Sequence, residues 1–153
     1  MASSANVNMQ DSATNGSKGN LKVQLTGSSN KVFTVTTITQ AWDYLTVTVS
    51  NGKTSFTFDK NKHNTFQVLK TTDGKNSMVY GTGTSSSDTW TIEVLNKTTN
   101  KPTKLAWSYA NVSTGGKQFV HTLTVVAEDT PSNSSMEDYN DAGISITWYN
   151  YSG

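Results

Sequence analysis

Apolar and polar residues alternate along most of this chain. Leu21, Val23 and Leu25 are separated by single polar residues, and Leu45, Val47 and Val49 interleave with Thr46 and Thr48. A period of two is that of a half-buried β-strand. Asn51-Gly52 then supplies turn chemistry before Phe56 and Phe58, so residues 44–59 are expected to form a hairpin. Further faces follow at Val32 to Val35, Phe66 to Leu69, Met78 to Tyr80, Trp90/Ile92/Val94, Leu105/Trp107/Tyr109, Phe119/Leu123/Val125 and Ile144/Ile146/Trp148. Breaks fall at Gly83 to Ser87, Asn100-Lys101-Pro102 and Thr114-Gly115-Gly116. The pattern gives about nine or ten short strands and no helix, and predicts an all-β fold, an antiparallel β-sandwich. Abundant Thr and Val suit pleated surfaces and disfavour helices.

The first twenty residues do not share this pattern. Residues 1–20 are rich in Ser, Asn and Gly and lack apolar periodicity. They read as a disordered tail, with one sandwich domain over 21–153. No internal repeat is present. No apolar run approaches the roughly 18 residues of a membrane-spanning helix, so no membrane insertion is expected.

Composition narrows the functional classes. The net charge is +1, and all 12 basic residues are scattered Lys. Without Arg the bidentate contacts that read bases and phosphates are missing, which argues against a nucleic-acid partner. With no Cys, disulfides and thiolate chemistry are excluded. The N-terminus has neither the basic nor the apolar region of a secretory signal. Asn-x-Ser/Thr triplets occur at Asn15, Asn96, Asn111, Asn133 and Asn150. A glycan at Asn133 would sit inside the acidic segment described next. Synthesis in a cytoplasm is therefore expected, with a non-classical export route or a cell-surface location as options.

The acidic residues are concentrated. Five of the 11 carboxylates fall between Glu128 and Asp141, on the one long irregular segment, which joins the last two strands. Crowded carboxylates repel unless a cation is present. The donors are hard oxygens, the type calcium takes, and no His or Cys is near for zinc or copper. The spacing is not that of an EF-hand. A solvated acidic loop or a purely structural calcium are the bland alternatives.

The segment Glu128-Asp129 … Asp138-Tyr139-Asn140-Asp141-Ala142, followed by Ile146-Thr147-Trp148, resembles the calcium-dependent fucose- and mannose-binding lectins of the LecB (PA-IIL) type. The resemblance covers about 25 residues closely. It extends more weakly upstream through Trp90 to Leu95, Asn100-Lys101-Pro102 and the strand from Phe119. It implies two adjacent calcium ions, coordinated directly by sugar hydroxyls. By the resemblance Glu128 is a calcium ligand, Asp138 and Asp141 bridge the ions, and Asn140 ligates through its amide oxygen. Asp129 accepts a sugar hydroxyl, and Asp138, Asn140 and Asp141 border the sugar as well. Tyr139 shapes the loop. The early stretch Thr37 to Trp42 corresponds to the family's specificity loop, which makes Thr39 and Gln40 candidate sugar contacts.

The chain departs from the family at three places. An Asp of the family's motif falls on Met136, which cannot ligate calcium. The loop before Asp138 is longer, and Glu137, or a Ser or Asn within 132–135, is the candidate replacement; with no replacement one ion is expected rather than two. The chain ends in Gly, and Gly153 corresponds to a terminal carboxylate that reaches a neighbouring subunit's calcium, but it lies further past the Trp. The expected protein is a lectin for mannose- or fucose-type sugars, with no catalytic step, acting as a homodimer or homotetramer.

Other residues are set aside. His121 shares its strand parity with Phe119, Leu123 and Val125, which predicts a half-buried structural role, and His63 is isolated. Glu128 and Asp141 also admit a glycosidase acid–base pair. Their clustering on one segment favours a metal over two separated catalytic roles. Trp42, Trp90, Trp107 and Tyr151 could stack on sugar faces, but most are simpler as core positions.

Overall fold

The computed structural model describes residues 7–11, 17–18, 21–26, 32–39, 41, 43–52, 54–59, 67–71, 73–75, 77–81, 87–128 and 139–149. In chain order the strands are β1 (Val7–Asp11), β2 (Ser17–Lys18), β3 (Leu21–Thr26), β4 (Val32–Thr39), β5 (Leu45–Ser50), β6 (Ser55–Asp59), β7 (Gln67–Val68), β8 (Lys70–Thr71), β9 (Ser77–Gly81), β10 (Ser87–Asn96), β11 (Lys101–Pro102), β12 (Lys104–Thr114), β13 (Lys117–Glu128) and β14 (Ala142–Tyr149). Among the described residues ten strands run five residues or more, and the other four are two-residue segments that extend an edge.

Two antiparallel sheets result. Sheet A has the order β1-β3-β10-β5-β6-β8, with β11 also on β10. Sheet B has the order β2-β12-β13-β14-β4-β7, with β9 also on β4. The core lies between them. Leu45, Val47, Val49, Phe58, Trp90, Ile92 and Val94 come from sheet A, and Val35, Leu105, Leu123, Val125, Ile144 and Trp148 from sheet B; all are buried. The expected β-sandwich is the fold observed.

The turns follow the sequence chemistry. The β5–β6 hairpin closes with Asn51 N–H donating to Thr54 O at 3.0 Å and Thr54 N–H donating to Asn51 Oδ1 at 2.8 Å. The turn is therefore wider than an Asn-Gly pair alone, with Asn51 acting as a side-chain cap. Between β12 and β13, Gly115 and Gly116 both have positive φ, 56° and 75°. This is the backbone that a two-residue hairpin requires and that glycine adopts without penalty.

Residues 7–11 and 17–18, expected to be disordered, are β1 and β2, paired with β3 and β12. Ladder hydrogen bonds come from the backbone, so polar residues can join an edge without an apolar face.

His121 is fully buried rather than half-buried. Its ring stacks on Trp148 (centroids 5.1 Å, 10° between planes) and on Tyr109 (5.8 Å, 10°). Tyr109 Oη also hydrogen-bonds His121 Nδ1. Burial pushes the Tyr109 hydroxyl above the usual phenol range, although a bond with Asn111 opposes this, so the hydroxyl stays protonated. The histidine is structural, as its strand parity predicts.

Candidate functional site

The site region is one end of sheet B. Ala127 of β13 pairs with Ala142 of β14, and Ala142 pairs in turn with Thr39 of β4. Glu128 is the next residue beyond that row on β13, and Asp141 the next on the β14 side. Asp141 N–H still donates to Ala127 O at 3.2 Å, so its backbone is held by the sheet. Two buried acidic residues thus stand at the ends of adjacent strands, each one position past the last paired row.

Their burial is unusual. Leu123, Val125 and Ala127 occupy the core face of β13, which puts Glu128 on the outer face with Thr124 and Val126. Thr124 is exposed there, yet Glu128 is only 2% exposed and Asp141 8%. The chain entering β14 meets Glu128: Tyr139 N–H donates to Glu128 Oε2 at 3.0 Å. Tyr139 has a φ of 52°, a left-handed conformation that costs an L side chain about 1–2 kcal/mol. That conformation lets the amide turn toward the carboxylate.

Charge near this row is mixed. Register places Lys104 of β12 opposite Glu128. Sequence reading missed this cation because only the β12–β13 pairing, 24 positions apart along the chain, brings it there. Asn140 is exposed at the mouth, beside Asp141. Among the described residues no three of His, Cys, Asp and Glu converge as a metal cluster. The donors present, two carboxylates and the Asn140 amide, are nonetheless the hard-oxygen type that suits calcium.

Thr39, a candidate sugar contact, is hydrogen-bonded within the protein. Its hydroxyl donates to Asp141 O, and it accepts Ala41 N–H at 3.1 Å. Ala41 N–H also approaches Asp141 O at 3.3 Å. Thr39 is 3% exposed, so its hydroxyl is committed to the protein rather than presented to a sugar. It fastens the early loop to Asp141. Thr39→Val, which keeps the shape and removes the donor, is expected to lower stability by about 1 kcal/mol in urea unfolding. An unchanged midpoint would show that the hydroxyl holds nothing.

The structure therefore brings together Glu128, Asn140, Asp141 and Thr39. Asp129, Glu137, Asp138, Gln40 and Gly153 lie outside the described residues, as do Trp42 and Tyr151. Trp90 is a core residue and Trp107 packs against the core, which removes them as exposed sugar platforms.

The acidic end of this sandwich can be set against known proteins. The family described as fucose-binding lectin II (PA-IIL) matches residues 23–150. The chain belongs to this family. It is a carbohydrate-binding lectin rather than an enzyme, which sets the glycosidase reading aside. The match covers the weakly similar upstream strands as well as the acidic segment. Comparison with curated proteins finds no match. Among solved structures, a Ralstonia solanacearum high-affinity mannose-binding lectin is similar at 23% identity and a TM-score of 0.53, over 82% of this chain and 94% of that one. The Chromobacterium violaceum lectin CV2L, in complex with alpha-methyl-fucoside, is similar at 16% identity and a TM-score of 0.56, over 89% of this chain and 97% of that one. At these identities the likeness is one of fold. This chain is a divergent member.

Proposed function

We propose that this lectin binds mannose- or fucose-type sugars through calcium held at the end of sheet B. The observation that carries the reading is the pair of buried carboxylates, Glu128 and Asp141, that close adjacent strand ends around the acidic segment. Two buried carboxylates at neighbouring strand ends are unfavourable unless cations offset them, and Lys104 opposite Glu128 supplies a single charge. Calcium there would supply a doubly charged centre on which a vicinal diol replaces water, a contact more stereospecific than hydrogen bonds to a well-hydrated sugar.

The chain's residues have distinct parts in this reading. Glu128 and Asp141 are ligands fixed by the sheet, and Asn140 adds an amide oxygen at the exposed mouth. Glu137 and Asp138 complete the ligand set, and Asp129 accepts a sugar hydroxyl. Two ions follow if Glu137 or another loop oxygen replaces the ligand lost at Met136; otherwise one is held. Gly153 is the candidate terminal ligand to a second copy. Assembly as a dimer or tetramer would raise avidity for clustered glycans.

One observation favours a second reading. Glu128 is so deeply covered that a calcium there could serve only to tie the segment down. Calorimetric titration with methyl mannoside and methyl fucoside separates the two. Saturable heat with calcium that disappears in excess chelator is the expected result. No heat from folded, calcium-loaded protein would leave only the structural ion, seen as a chelator-sensitive melting temperature that sugar does not raise further.

A further inference from the structure

Glu128 faces a lysine across the sheet. Lys104 of β12 is its direct partner in the β12–β13 register. Leu105, next to Lys104, is a core residue, so Lys104 and Glu128 share the outer face of sheet B. Directly opposed side chains of an antiparallel pair start about 4.5–5.5 Å apart at Cβ, well within the reach of a lysine. Lys104 is half-buried and Glu128 is buried. The neighbouring outer-face row runs through Ala106, Val126, Gly143 and Ile38 and carries no charge. On the other side of Lys104 the register places Lys18 of β2. The end of the sheet therefore passes from cations on β2 and β12 to acids on β13 and β14. A buried carboxylate is costly without a counter-charge, and Lys104 is the one that the register provides. A calcium ion on Glu128 would be a further cation brought against that lysine, and the two repel.

We propose that Lys104 is a built-in competitor of calcium at the acidic end of sheet B. It neutralises Glu128 while the site is empty and gives up that carboxylate when the ion enters. One lysine against Glu128 and Asp141 leaves an acid in excess, so the site still calls for the ion. Calcium affinity is then the difference between two ways of satisfying the same carboxylate, and the lysine lowers it. The consequence is regulatory. Sugar binding follows the calcium concentration around the protein, where a site without the lysine would stay loaded. The inference rests on the calcium reading above and concerns how firmly the ion is held, not which sugar is taken.

The test is calorimetric titration of calcium into full-length wild type, Lys104→Met and Lys104→Arg, each first stripped with chelator, with melting curves in chelator and in calcium alongside. Met keeps the apolar stem of the lysine and loses the charge, whereas Arg keeps the charge. Expected is calcium bound about ten- to a hundredfold more tightly by Lys104→Met, and within about threefold of wild type by Lys104→Arg. In chelator Lys104→Met should melt below wild type, because Glu128 has lost its partner; at saturating calcium the gap should close or reverse. The calcium concentration for half-maximal binding of methyl mannoside or methyl fucoside should fall by the same factor, with sugar affinity at saturating calcium unchanged. Lys104→Gln carries the same expectations if Lys104→Met does not fold. Equal calcium affinity in wild type and Lys104→Met overturns the proposal and leaves the calcium reading standing. So does a gain in Lys104→Arg as large as that in Lys104→Met, which would make shape rather than charge responsible. Calcium binding by none of the variants and not by wild type overturns both.

Discussion

Glu128→Gln is expected to weaken sugar binding by roughly 100-fold, because it removes a full charge from the carboxylates proposed to hold the ion. The substitution keeps the size of the side chain and an oxygen that accepts Tyr139 N–H, so the fold around it is preserved. Its effect on stability should reverse sign with calcium. In chelator, wild type carries two buried acidic residues at the ends of adjacent strands, and on the calcium reading neutralising one relieves repulsion. The variant should then be as stable as wild type or more so. With calcium present the order inverts, since wild type gains the binding free energy of the ion and the variant gains little. Melting curves of both proteins, each with calcium and with chelator, decide the matter. A variant equally destabilised in both conditions would mean that Glu128 serves the fold alone, with Lys104 opposite it on β12 as the relevant charge.

That reversal depends on features of unequal legibility in the sequence. The strands themselves were readable, because alternation of Leu45, Val47 and Val49 or of Ile144, Ile146 and Trp148 is a local signal that burial on one face imposes. The segment joining β13 to β14 was readable as acidic for the same reason: charge clustering needs no partner strand to be seen. The burial of Glu128 was not. Strand parity puts it on the outer face, where the Tyr139 amide meets its carboxylate. Thr39 illustrates the same limit. Its hydroxyl meets Asp141 O, 102 positions away, and that meeting is set by the β4–β14 register rather than by any local pattern. The place of Thr39 in the early loop was recoverable from a resemblance, but its task was not. Asn96 was visible only as a glycosylation triplet, whereas its side chain is buried and bonded to Asp43 and the following turn. Residues that bind other strands through side chains are the ones a single sequence conceals.

Trp148→Ala is expected to produce the largest loss of stability, about 3–5 kcal/mol in urea unfolding. Trp148 is fully buried and stacks on both His121 and Tyr109, the latter at 6.0 Å between centroids. Removing the indole leaves a cavity bounded by a histidine and a phenol. Rigid strands on either side cannot collapse into it, and water admitted there would reach His121. Against a typical total of about 5–15 kcal/mol, such a loss takes a third or more of the margin. Trp148→Phe keeps a ring in the stack and should cost less. The sugar site should respond differently. Trp148 lies six residues along β14 from Ala142, roughly 20 Å at the rise of a strand, so it touches neither Glu128 nor Asp141. At a temperature where the variant remains folded, its sugar affinity should therefore match that of wild type while its urea midpoint falls. A loss of affinity in folded Trp148→Ala would show that the core sets the geometry of the acidic end through β14. A midpoint lowered by less than about 1 kcal/mol would show that the stack contributes little to the sandwich.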